Sequence, residues 1–95
     1  MKRFERILEN YCNDIGISPD QLISKDRHID IDTARKAFWK VMNDRGLSQH
    51  LLARMFNRDV ISVRRGISRI SGYLELGDRS SIYYVGICER LAKWE

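Results

Sequence analysis

The sequence predicts an all-α domain of five to six helices around one core, and three observations predict it. Apolar residues recur at three- and four-residue spacing through nearly the whole chain, the period of one helix face. Most of these runs are closed by a glycine and followed by a serine or aspartate, residues that end and cap helices. No segment alternates with a two-residue period, and no Asn-Gly or Asp-Gly pair offers a hairpin turn. The 95 residues suffice for one core and are too few for two domains.

The first helix carries Phe4, Ile7, Leu8, Tyr11, Cys12 and Ile15 on one face, and Gly16 stops it. Ser18 caps a short second helix, with Pro19 at its first position and Asp20 in its first turn, running through Leu22 and Ile23. Residues 24–28 have no apolar period and read as an exposed polar loop. Asp30 or Asp32 is expected to cap the third helix, whose stripe is Ala34, Phe38, Val41 and Met42. Gly46 ends it, and Leu47 closes the end by an apolar contact. Ser48 caps a fourth helix, barely two turns long, over 49–56. A fifth runs from about 59 to 74 with Val63, Ile67, Ile70 and Leu74 inward, and Gly77 ends it. The stretch 77–80 is the one hinge-like break before a last helix over 80–94 carrying Tyr84, Cys88 and Leu91, which is expected to cap the core.

A chain 43% hydrophobic and 32% charged has the balance of a globular domain and is too apolar for intrinsic disorder. No apolar run is long enough to span a bilayer. The first residues mix acids with bases and lead into no apolar signal core, so a cytoplasmic protein is expected. Cys12 and Cys88 sit on separate apolar stripes, which predicts buried, reduced thiols rather than a disulfide. His28 and His50 lack partners at ligand spacing, and there is no Gly-rich phosphate loop. Nor does any Ser, Cys or carboxylate pair have the surroundings of a nucleophile or acid–base couple. No metal, cofactor, small-molecule substrate or enzymatic activity is expected.

Two short helices joined by a tight turn, the second longer than the first, suggest a helix-turn-helix. That motif needs a small residue where the helices cross, then a residue able to turn left-handed, then an apolar residue pinning the second helix. Ala53, Asn57 and Val63 hold those places, with Leu52 and Phe56 between them. Asparagine is, after glycine, the residue most tolerant of positive φ. With Val63, Ile67 and Ile70 inward, the front of the second helix presents Asp59, Val60, Ile61, Arg64 and Arg65 outward. A DNA major groove admits one helix, and its N-terminal residues meet base edges. Arg64 or Arg65 suits bidentate bonding to guanine, and Val60 or Ile61 suits a thymine methyl. Arg54, Arg58 and Arg69 are better placed for phosphates, with Ser48 and Gln49 opening a helix whose N–H groups can also bind one.

Charge supports this location. Lys and Arg number 17 against 13 Asp and Glu, a net charge of +4. Residues 54–69 contain five arginines and one acid, so the whole excess lies on the helix-turn-helix and the rest of the chain is balanced. Localised positive charge of this kind marks a polyanion partner.

The motifs Ile15-Gly16-Ile17-Ser18, Leu22-Ile23-Ser24-Lys25-Asp26-Arg27, Ala34-Arg35, Gly46-Leu47-Ser48 and Phe56-Asn57-Arg58-Asp59-Val60-Ile61-Ser62-Val63 follow one another in this order. Their order and spacing resemble the C-terminal DNA-binding domain of the bacterial replication initiator DnaA, a helical domain related to the Trp repressor fold. The resemblance covers about 7–74, so the chain divides into a DnaA-like part over 1–76 and an extra helix over 77–95. The initiator's ATPase module has no counterpart. The resemblance implies that Arg27, in the loop with Lys25, enters the minor groove, and that Asp59 reads a base. Val60 and Ile61 stand where the family has a His and a Thr that touch bases, and Ser62 stands for a Thr that contacts the backbone. Arg35 matches the arginine that begins the long middle helix. The family's Gly-Gly is shortened to Asn57, and Asp26 and Ile29 replace two basic loop positions. These departures predict a target other than the initiator's own.

The sequence thus predicts sequence-specific binding of double-stranded DNA, in replication or transcription control, by a monomer or weak homodimer. The rival is a protein-interaction module that keeps the fold without DNA, contacting its partner through Val60, Ile61, Tyr83, Tyr84 and Trp94.

Overall fold

The structure, a computed structural model, describes residues 2–93. It is all-helical, with six helices packed in one globule and no strand among the described residues. In order they are α1 (Lys2–Ile15), α2 (Pro19–Ile23), α3 (Ile29–Asp44), α4 (Gln49–Met55), α5 (Val60–Glu75) and α6 (Arg79–Lys93). None is long and apolar enough to cross a membrane.

Local chemistry explains most boundaries. Ser18 and Gln21 form a reciprocal capping box, each side chain accepting the other's backbone N–H at 3.1 Å, with Pro19 at the first helical position. Ser48 caps α4 by accepting the Leu51 N–H at 3.1 Å, and Asp59 caps α5 by accepting the Ser62 N–H at 2.8 Å. Gly16, Gly46 and Gly77 follow α1, α3 and α5 at positive φ. The expected cap of α3 is corrected. His28 occupies the cap, its Nδ1 facing the Asp30 N–H at 3.4 Å, so Asp30 and Asp32 lie one residue or more inside the helix. The loop turns early because Asp26 Oδ1 accepts the His28 N–H at 2.8 Å. The expected hinge at 77–80 is a capped turn, in which Asp78 accepts both the N–H and the hydroxyl of Ser81.

Helix α3 is the hub, packing against α6, α5, α2 and α4. The expected α1 stripe is inward, with Ile7, Leu8, Tyr11 and Cys12 buried. The Tyr11 hydroxyl donates to the Ala34 carbonyl of α3 at 2.9 Å. Phe38 joins the aromatic centre, its ring centroid 6.0 Å from Tyr11 and 5.6 Å from Phe56. On α5, Val63 and Ile70 are buried as expected with Gly66 between them, while Ile67 and Leu74, also expected inward, are half-buried. On α6 the inward residues are Ser81, Val85, Ile87, Cys88 and Ala92; Tyr84 and Leu91 stand at the edge. This helix packs on α3 and α1, capping the core. Cys12 and Cys88 are buried free thiols. Trp94, expected on the last helix, lies outside the described residues.

Candidate nucleic-acid interface

The site is built from the turn between α4 and α5, the loop 24–28 and the facing side of α3. In the turn, Asn57 adopts φ +51°, the one non-glycine residue with positive φ among those described. The chain then reverses, with the Arg58 N–H donating to the Ala53 carbonyl at 2.8 Å. Ala53 is buried at the close approach of the helices and Val63 is fully buried beneath α5. The three positions that defined the motif in the sequence therefore serve the turn as expected.

The loop 24–28 folds back through its own side chains. The Ser24 hydroxyl donates to the Gln21 carbonyl at 2.7 Å and accepts the Asp26 N–H at 3.2 Å. Two arginines hold it from behind. Arg35 donates Nε to the Leu22 carbonyl at 2.7 Å and Nη2 to the carbonyls of Ser24 and Asp26 at 2.7 and 3.0 Å. Arg58 donates Nη1 to the carbonyls of Ile23 and Phe56 at 3.0 and 2.6 Å, and Nη2 to that of Ser24 at 2.6 Å. Burial, and for Arg35 the adjacent Arg58 charge, lowers both pKa values; the Asp32 carboxylate acts in the opposite direction.

Between the loop, α3 and α5 runs a groove of about 690 Å³. Exposed Lys25 and Arg27 line its loop side; Ser62, Arg65 and Arg69 line its α5 side. Lys36 and Trp39 of α3 line it between them, and Lys36 Nζ lies 2.6 Å from Asp32 Oδ2. Asp59 is also in the lining; the Ser62 N–H first, and the Arg65 charge among lesser causes, hold its carboxyl below the ordinary value. Seven basic residues thus line one channel against two carboxylates, five of them free of the loop carbonyls to which Arg35 and Arg58 are bonded.

Of the remaining expected site residues, Arg35 and Arg58 lie at the base of this groove and the others outside it. Ile61, about half exposed, and exposed Arg64 stand three residues apart on α5. Arg64 donates Nε to Gln49 Oε1 at 3.2 Å. Arg54 is exposed at the end of α4. Three assignments are corrected. Arg35 is only 3% exposed and directs its guanidinium at protein carbonyls, so it supports the loop from inside. Arg58, half-buried and bonded to three carbonyls, does the same rather than reach outward. Val60 is half-buried and packs on the core, leaving Ile61 as the exposed apolar tip. Ser48 is engaged as the cap of α4, holding the Leu51 N–H. Lys36 was not legible as a site residue, since only the packing of α3 on α5 brings it to the groove.

Comparison with protein-family models, with curated proteins and with solved structures finds no match to this chain.

Proposed function

We propose that this chain binds double-stranded DNA sequence-specifically through its helix-turn-helix, as a regulator in replication or transcription, with no catalytic activity of its own. In this reading α5 enters the major groove and Arg27 the adjacent minor groove. The observation that carries it is the cationic groove between the 24–28 loop and α5. A sugar–phosphate strand is what separates a major groove from its neighbouring minor groove. A domain that puts a helix in one and a loop in the other must therefore straddle a strand, and the straddling channel must be basic. Lys25, Arg27, Lys36, Arg65 and Arg69 supply that charge. On the far side of α5, Ile61 suits a thymine methyl, and Arg64, steadied by Gln49, keeps its terminal nitrogens for guanine O6 and N7. The resemblance to the DnaA C-terminal domain favours the same arrangement.

The test is a binding titration against random and genomic duplex at several salt concentrations. Four to five neutralised phosphates give a slope of log K on log salt of roughly −4. Absence of salt-dependent binding overturns the proposal. A protein-interaction module presenting Ile61 and Tyr83 would bind its partner with an affinity that barely responds to salt.

A further inference from the structure

The Ser24 carbonyl receives two guanidinium groups at once, from Arg35 at 2.7 Å and from Arg58 at 2.6 Å. The three residues belong to different segments: the start of the 24–28 loop, helix α3, and the turn between α4 and α5. Arg58 immediately precedes Asp59, the cap of α5, and its other bonds reach Ile23 before the loop and Phe56 in the turn. One side chain therefore spans from the beginning of α5 to the segment that carries Lys25 and Arg27. The arrangement brings two like charges together, which has a cost. The nearby Asp32 carboxylate, 3.4 Å from Arg35 Nη1, offsets part of it. A surface loop needing only to be closed would not require two cations, one buried and one half-buried, on one oxygen.

We propose that Arg58 is a positioning residue that sets the spacing and rigidity of the Arg27 loop relative to α5, and through it the specificity of the two-groove grip. Its DNA consequences rest on the function proposed above; the mechanical link does not. A loop held in register before binding loses little freedom on binding, whereas a loose one must be ordered at the expense of affinity. The loss falls on duplexes that engage both grooves. Non-specific binding, carried by phosphate neutralisation, is left nearly unchanged, because Arg58 itself meets protein carbonyls.

The experiment compares the full chain with Arg58→Lys and Arg58→Gln. Backbone ¹⁵N order parameters are measured without DNA, and binding is measured on a duplex selected from a random pool and on random duplex. Lysine retains the charge but cannot reach three carbonyls in a fork. Both variants are expected to drop the order parameters of residues 25–28 from about 0.85 to below about 0.6. Both should lose about tenfold in affinity for the selected duplex, a loss of roughly 1.4 kcal/mol. Affinity for random duplex and the salt slope should stay as in the wild type. Order parameters unchanged in Arg58→Lys overturn the mechanical link. A slope shallower by about 0.9 in Arg58→Gln, with Arg58→Lys binding like the wild type, makes Arg58 a phosphate contact instead. Melting curves check that each variant is folded; if the Gln variant is not, the Lys variant decides the matter by its order parameters and its selected-duplex affinity. If the wild type shows no salt-dependent binding, the DNA reading falls while the relaxation measurement still decides the link.

Discussion

Gly66 of α5 lies against the ring of Trp39 of α3 so closely that a Cβ there would stand 2.7 Å from Trp39 Cε3 and Cζ3. Trp39 is held by the core: it is 4% exposed and meets Phe56 edge-on at 5.6 Å, so displacing its ring disturbs that contact. The absent side chain lets α5 settle on α3, with Arg65 and Arg69 turned to the groove. Gly66→Ala should therefore destabilise the fold even though alanine is the better helix former by about 1 kcal/mol. Overpacking of roughly 1–3 kcal/mol outweighs that gain, for a net loss of about 1 kcal/mol in urea unfolding. A more stable Gly66→Ala protein would show that the two helices are free to part.

The turn before α5 depends on the left-handed backbone of Asn57. Asn57→Gly should leave stability within a few tenths of a kcal/mol, or raise it. Asn57→Val should lower it by about 1–2 kcal/mol, because a β-branched residue clashes with the following carbonyl at positive φ. Equal denaturation midpoints for the two variants would contradict this account.

Burial raises the thiol pKa of Cys12 to about 11 and, with the neighbouring Glu89 carboxylate adding to it, that of Cys88 to about 12. Burial raises the Tyr11 hydroxyl as well. Each group is therefore neutral in the folded protein over a range where the unfolded chain ionises. Their contribution to stability is complete below the ordinary thiol value near 9 and is lost as pH rises towards 11–12. The melting temperature should fall steadily above about pH 9. Neither thiol should react with an aromatic disulfide at about pH 8 until the protein unfolds. Rapid native labelling would refute the burial argument.

Arginines of two kinds should separate cleanly. Arg27→Ala and Arg64→Ala are each expected to weaken binding to a selected duplex by roughly 1–3 kcal/mol without lowering the melting temperature. Arg35→Ala should instead remove about 3 kcal/mol of stability, since it takes the donor from the buried Leu22 carbonyl and from the part-buried carbonyls of Ser24 and Asp26. A folded, normally stable Arg35→Ala protein that fails only in DNA binding would return Arg35 to the interface.

The sequence by itself determined the helices, the caps at Ser18 and Ser48, the reversal at Asn57 and the inward faces of α1 and α5. Each of these depends on residues within about one or two turns of one another, where spacing and capping chemistry act directly. The location of the excess charge on the helix-turn-helix was legible for the same reason. Only the tertiary structure decided where that charge is directed. Arg35 and Arg58 look from their own neighbourhoods like solvent-facing cations. They turn inward because carbonyls of 22–26 wait within about 3 Å, set there by chain 9 to 35 positions away. Lys36 reaches the groove, and Gly66 its place beside Trp39, through the packing of α3 on α5. Counting arginines locates a basic segment; the unpaired backbone acceptors brought up by packing decide which of them are left for a ligand.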